Sequence, residues 1–276
     1  MTTMEKKELE RLACKIRMDA LQAVYSTQNG CPGGSLSSVD LLAYLYFKEM
    51  KVDPQISQKG NYDRFVFSQN RCVPSLYAAM VNRGFFSVED LPALCRLQGG
   101  PEKNEMPAAD VSAGSPGQGL SVAVGMALAA RYQERDCRIY ALLSAGETAA
   151  GQVWEAFQLA YLYRLENLCV MIEQSTAGTV NRAADSLLPG KLCAFGLQVA
   201  EADGHDFESL EQAFAEFHES RDIPTAIIVR TVTGRNVSFM ENQESWQKKV
   251  LSGQTYEAAV TELNARLAKL EAGCDG

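Results

Sequence analysis

The chain has 276 residues, 46% of them hydrophobic and 22% charged, which is ample material for a core and excludes an extended disordered protein. A formal net charge of −8 without a basic run argues against a nucleic-acid partner. No apolar stretch approaches the roughly 18 residues of a membrane span, and the polar residues 1–8 are unlike a signal peptide, so no membrane is expected as a partner and the expected location is cytoplasmic.

Apolar residues at three- and four-residue steps (Leu9, Leu12, Ala13, Ile16, Leu21, Val24) predict an amphipathic helix over 6–26. A glycine-rich turn at 28–34 ends it, and Ser37 or Ser38 is placed as the cap of a second helix over 39–48. Residues 63–68 read as a short strand, followed by a helix over 74–82. The stretch 113–178 is the organising one. There a glycine-rich turn opens a helix, strand 139–143 ends in small residues, a helix begins near Gly151, and strand 168–172 ends in polar ones. This is the rhythm of a parallel α/β sheet, in which ligands sit beyond the carboxyl ends of the strands, here 144–147 and 173–177. A strand at 198–202, a helix at 208–220 capped by Asp206, a buried strand at 225–232 and a helix at 255–270 complete the pattern. The rhythm is continuous, so residues 1–276 are read as one domain. Eight cysteines, none in a Cys-x-x-Cys pair, are expected to be free, buried or half-buried thiols.

Several segments carry a resemblance. Ser144-Ala145-Gly146-Glu147, Gly151-Gln152-Val153-Trp154-Glu155-Ala156, the run from Gly117-Gln118-Gly119-Leu120 into Ser121-Val122-Ala123-Val124-Gly125, and Gly234-Arg235-Asn236-Val237 with Phe239-Met240-Glu241 are similar to the N-terminal half of transketolases, in the form that occurs as a separate short subunit. The resemblance implies an open, mostly parallel sheet flanked by helices, the thiamine diphosphate-binding fold. It implies thiamine diphosphate and Mg²⁺ as cofactors, a homodimer, and a partner of the C-terminal subunit type. It implies that Gly114, Gly117, Gln118, Gly146 and Glu147 lie at the diphosphate, since glycines let backbone N–H groups approach an anion at a helix start.

The same segments depart from the family where its chemistry lies. The metal ligands of the pattern are an Asp within Gly-Asp-Gly-Glu and an Asn about thirty residues later; this chain has Ala145 and Ser175. Four motif histidines are replaced by Cys31, Arg71, Gly100 and Gln247, while His205 and Glu155, the latter from an acidic cluster linking two active sites, remain. Mg²⁺ wants near-octahedral oxygen ligation, which an alanine and a neutral hydroxyl serve poorly, and only Cys31 among the replacements titrates anywhere near neutrality. The expectation is a chain that has lost ordinary Mg²⁺–thiamine diphosphate catalysis and acts as partner, scaffold or regulator. Two alternatives stand beside it: an active two-carbon ketol transferase working with a C-terminal subunit, and a module that binds another anion or metabolite in the old cleft, with Arg71 and Arg235 as its cations.

Overall fold

The computed structural model describes residues 1–54, 62–96, 115–176 and 186–272. Five strands, β1 (Arg64–Phe67), β2 (Ile139–Ser144), β3 (Leu168–Ser175), β4 (Gln198–Asp203) and β5 (Thr225–Thr231), form a sheet in the order β1-β2-β3-β5-β4. All neighbours are parallel. Parallel strands need crossovers, and the helices that supply them cover both faces of the sheet.

The side-chain period of two divides the core. Tyr140, Leu142, Cys169, Met171, Ile227 and Val229 face a cluster built with helix α1 (Thr3–Thr27), α3 (Val39–Tyr44) and α4 (Val73–Arg83). Ile139, Ala141, Leu143, Val170, Ile172 and Ile228 face the opposite cluster, shared with α6 (Gln118–Tyr132) and α7 (Gly151–Leu162). A third cluster joins α1 to the last helix, α10 (Gly253–Ala272), through Cys14, Leu21, Ala259 and Leu263. The remaining helices are α2 (Pro32–Ser37), α5 (Leu91–Arg96), α8 (Leu188–Ala194) and α9 (Phe207–Glu219). Among the described residues, no helix is long and apolar enough to cross a membrane.

The start of the second expected helix needs correction. The chain is already helical at Pro32, because proline at the first helical position has its φ preset and no N–H to lose. Cys31 is the N-cap, its sulfur accepting from Gly34 N–H at 3.3 Å. Ser38 sits at the break between α2 and α3 and makes no side-chain cap bond, and the helix loosens into a π-type turn at Leu45–Glu49. Strand β3 runs three residues beyond the expected end, to Ser175, because Glu173, Gln174 and Ser175 keep their pairing with β5. Asp206 caps α9 as expected, accepting from Glu208 N–H at 3.2 Å.

Candidate functional site

A cleft of about 810 Å³ opens at the carboxyl ends of β2 and β3. Its floor is built by strand register. Ser144 pairs with Glu173, so the turn after β2 (Ala145, Gly146, Glu147) and the end of β3 (Ser175) meet in one wall. Cys31 and Gly34 of the α2 start, Gln69–Cys72 after β1, and Thr233 and Gln247 also line the cleft. Lys191 of α8 and Trp154 of α7 line it as well, with the Lys191 Nζ 6.0 Å from the indole centroid.

Two buried carboxylates organise this floor, and both oxygens of each are hydrogen-bonded. Glu147 accepts from Gly117 N–H at 2.9 Å, from Ser144 N–H at 2.8 Å, from the Ser144 hydroxyl at 3.1 Å, and from the Ser68 hydroxyl. Glu173 accepts from the Ser37 hydroxyl at 2.6 Å, from Gln69 Nε2 at 2.7 Å and from the Thr231 hydroxyl at 2.7 Å. Carboxylates removed from water need such donors, and these place the two charges in fixed positions beneath the cleft. The Ser175 hydroxyl is hydrogen-bonded to that of Thr233, and Ala145 presents only a methyl group. Among the described residues, no group of three or more His, Cys, Asp or Glu is gathered as a metal site.

The residues singled out in the sequence separate into three groups. Cys31, Arg71, Gln247, Ala145, Gly146, Glu147 and Ser175 come together on the cleft. Arg71 donates from Nη2 to the Gln247 carbonyl at 3.3 Å, so two of the former histidine positions are in contact. Gly117 stands just behind this wall, φ +83°, with its amide given to Glu147. Gln118 opens α6, and its Oε1 accepts from Ser115 N–H at 3.3 Å. The second group lies elsewhere. His205 is half-buried and not among the residues that line the cleft, with Nδ1 2.6 Å from Asp40 and Nε2 accepting Val232 N–H at 2.7 Å, which makes Nδ1 the protonated nitrogen. Burial alone would raise the Asp40 pKa, but Arg17 and His205 overrule it and hold the carboxyl well below the usual range. Glu155 lies exposed on α7, and Arg235 pairs with Glu241 at 3.6 Å rather than entering the cleft with Arg71. Gly100 and Gly114, the third group, fall outside the described residues.

Lys191 and Cys72 were not anticipated. Lys191 follows Pro189-Gly190, which reads as a turn, and only the packed helix aims it at Trp154. Cys72 is one of eight scattered thiols in the sequence, and the fold sets it beside Cys31. The neighbouring Cys72 thiol, with the Gly34 amide and the Arg71 charge, outweighs burial and holds Cys31 below the ordinary thiol range. Cys72 is pushed well above it by the same contact and by burial.

The cleft lies at the carboxyl ends of the central strands of a parallel sheet, the place where α/β proteins of this kind bind ligands. The sequence family described as the transketolase, thiamine diphosphate binding domain matches residues 9–267, and the chain belongs to it. A subunit of the apulose-4-phosphate transketolase of Phocaeicola vulgatus is 33% identical over 275 residues, covering 97% of this chain and 98% of that one. Human transketolase is 32% identical over 269 residues, covering 94% of this chain but 42% of its own length. Solved transketolases from Pichia stipitis and Leishmania mexicana superpose with TM-scores of 0.83 and 0.78 at 24% identity, over 97% and 96% of this chain and 44% and 46% of theirs. The chain thus spans under half of these longer transketolases and matches the Phocaeicola subunit nearly end to end.

Proposed function

We propose that this chain, acting as one domain over residues 1–276, is the N-terminal-type subunit of a split transketolase-like assembly. In this reading its cleft does not support ordinary Mg²⁺-dependent thiamine diphosphate ketol transfer. The carrying observation is the pair Ala145 and Ser175: one offers no donor, the hydroxyl of the other is hydrogen-bonded to that of Thr233, and the neighbouring carboxylates of Glu147 and Glu173 are already held by four and three donors. The family implies thiamine diphosphate and Mg²⁺, and this donor set does not fit the metal. Without it, a diphosphate would face two buried carboxylates, a repulsion of several kcal/mol at short range.

The end-to-end match to a relative that is itself named a transketolase subunit supports a C-terminal-type partner. Exposed apolar side chains at the ends of α6 and α7 (Tyr132, Leu159, Tyr161, Leu162) support an interface there, with a homodimer as its simplest form. The work left to such a chain is that of scaffold or regulator within the assembly, in the cytoplasm. A second reading, a cleft that holds another small organic anion, is favoured by Arg71 and Lys191 on its walls.

The test is a two-carbon transfer assay with ketose and aldose phosphates, using this chain reconstituted with a C-terminal-type transketolase subunit. The expected result is no turnover, even where the two chains co-purify. Turnover that depends on added thiamine diphosphate and Mg²⁺ would overturn the reading in favour of an active ketol transferase.

A further inference from the structure

Two thiols stand in the cleft, Cys31 at a position where the family pattern has a histidine, and Cys72, and the fold sets them side by side. A Cβ added at Gly34 would lie 2.6 Å from the Cys72 sulfur and 3.0 Å from the Cys31 sulfur, so both sulfurs crowd one point. The backbones are tied there as well, Cys31 N–H donating to the Arg71 carbonyl at 2.9 Å. Both residues line the cleft, Cys72 half-buried and Cys31 5% exposed, so little of either sulfur is open and a small reactant suits them best.

We infer that Cys31 and Cys72 form an oxidisable dithiol whose substrate class is small hydroperoxides, with Cys31 the attacking sulfur and Cys72 the resolving one. Around Cys31, Gly34 N–H donates to the sulfur at 3.3 Å and the Arg71 guanidinium carries a positive charge nearby, while Glu173 is the opposing negative group and the Trp246 carbonyl, 3.8 Å away, accepts from the protonated thiol. The other described thiols lack this setting. Burial pushes Cys14, Cys137 and Cys169 up and Cys95 to about 12, and Cys193 is exposed on α8. A thiolate held by donors beside a cation is the reactive form of cysteine.

The balance closes with the peroxide as two-electron oxidant. The Cys31 thiolate attacks one peroxide oxygen, the S–O bond forms, the O–O bond breaks, and the leaving oxygen takes a proton to become an alcohol or water. Cys72 sulfur then attacks the Cys31 sulfenic acid; the S–S bond forms, the S–O bond breaks, and hydroxide departs with the Cys72 proton as water. Because the disulfide would lie in the wall of the cleft, its formation would also remove the Cys31 thiolate from whatever the cleft holds.

The test uses the full chain treated with stoichiometric hydrogen peroxide at neutral pH, blocked with a maleimide, and analysed by intact mass and peptide mapping. The expected product is lighter by two hydrogens before blocking, carries a Cys31–Cys72 cross-link that maleimide does not label, and reverts with dithiothreitol. In Cys31→Ser, peroxide-dependent thiol loss falls about tenfold or more. In Cys72→Ser, Cys31 stops at a sulfenic acid that dimedone labels. A cross-link at another pair, or oxidation of Cys193 ahead of Cys31, would overturn the assignment. If a variant fails to fold, the mapping of the native chain decides alone.

Discussion

Glu147 accepts the Gly117 amide at 2.9 Å, and this one bond ties the turn after β2 to the start of α6. Both carboxylate oxygens accept a backbone N–H, Oε1 from Gly117 and Oε2 from Ser144. Neither orientation of a glutamine amide satisfies both donors. Glu147→Gln is therefore expected to cost about 2–4 kcal/mol, close to the cost of Glu147→Ala, because each strands buried donors. Urea unfolding of the two variants checks this; a glutamine variant as stable as the native chain would contradict it.

Gly117 itself holds φ +83°, and an added Cβ would lie 2.8 Å from Val153 Cγ2. Gly117→Ala combines left-handed strain with a collision against α7, and about 1–3 kcal/mol of stability is the expected loss. A lowered melting temperature is the readout, and an unchanged one would show that the turn relaxes freely.

The Asp40 cluster predicts an acid limb. Its folded pKa is depressed by Arg17 and His205, so its contribution is fully present above the unfolded value of 3.8 and is lost as pH falls below that. Asp40→Asn leaves the buried Arg17 without its partner and is expected to cost about 3–5 kcal/mol at neutral pH. The variant should also lose less additional stability than the native chain between neutral pH and about pH 3, measured by urea unfolding across that range.

Arg71 and Lys191 are the cations on the cleft wall, and inorganic phosphate, less charged than a diphosphate, is a simple probe of them. If the cleft holds such an anion, replacing either by alanine is expected to weaken phosphate binding by about tenfold, a loss of about 1.4 kcal/mol in calorimetry. Equal binding by native and substituted chains would remove the anion reading of the cleft.

Much of this architecture was legible because it rests on periodicity. Alternate strand residues such as Tyr140 and Ala141 go to opposite faces, and the buried runs 139–143, 168–172 and 225–232 marked strands within a few residues of their observed ends. What escaped depends on partners distant in sequence. Proline and glycine at 189–190 signal a turn, yet Leu188 and Leu192 pack into the core and make a helix there, which brings Lys191 to the cleft. Glu173 reads as the polar end of a strand, and only the fold supplies Ser37, Gln69 and Thr231 to keep it buried. His205 looked like a surviving site residue by motif, but its role in the structure is with Asp40 and Val232. The Cys31–Cys72 pair joins residues forty-one positions apart, and no local pattern marks it.

In the proposed reading, the side chains at 145 and 175 decide whether this cleft holds Mg²⁺. The measurement to make is calorimetric titration of thiamine diphosphate, with and without Mg²⁺, into the native chain and into Ala145→Asp/Ser175→Asn. No Mg²⁺-dependent binding is expected natively, and Mg²⁺-dependent binding is expected in the double variant. Tight Mg²⁺-dependent binding by the native chain would overturn the reading.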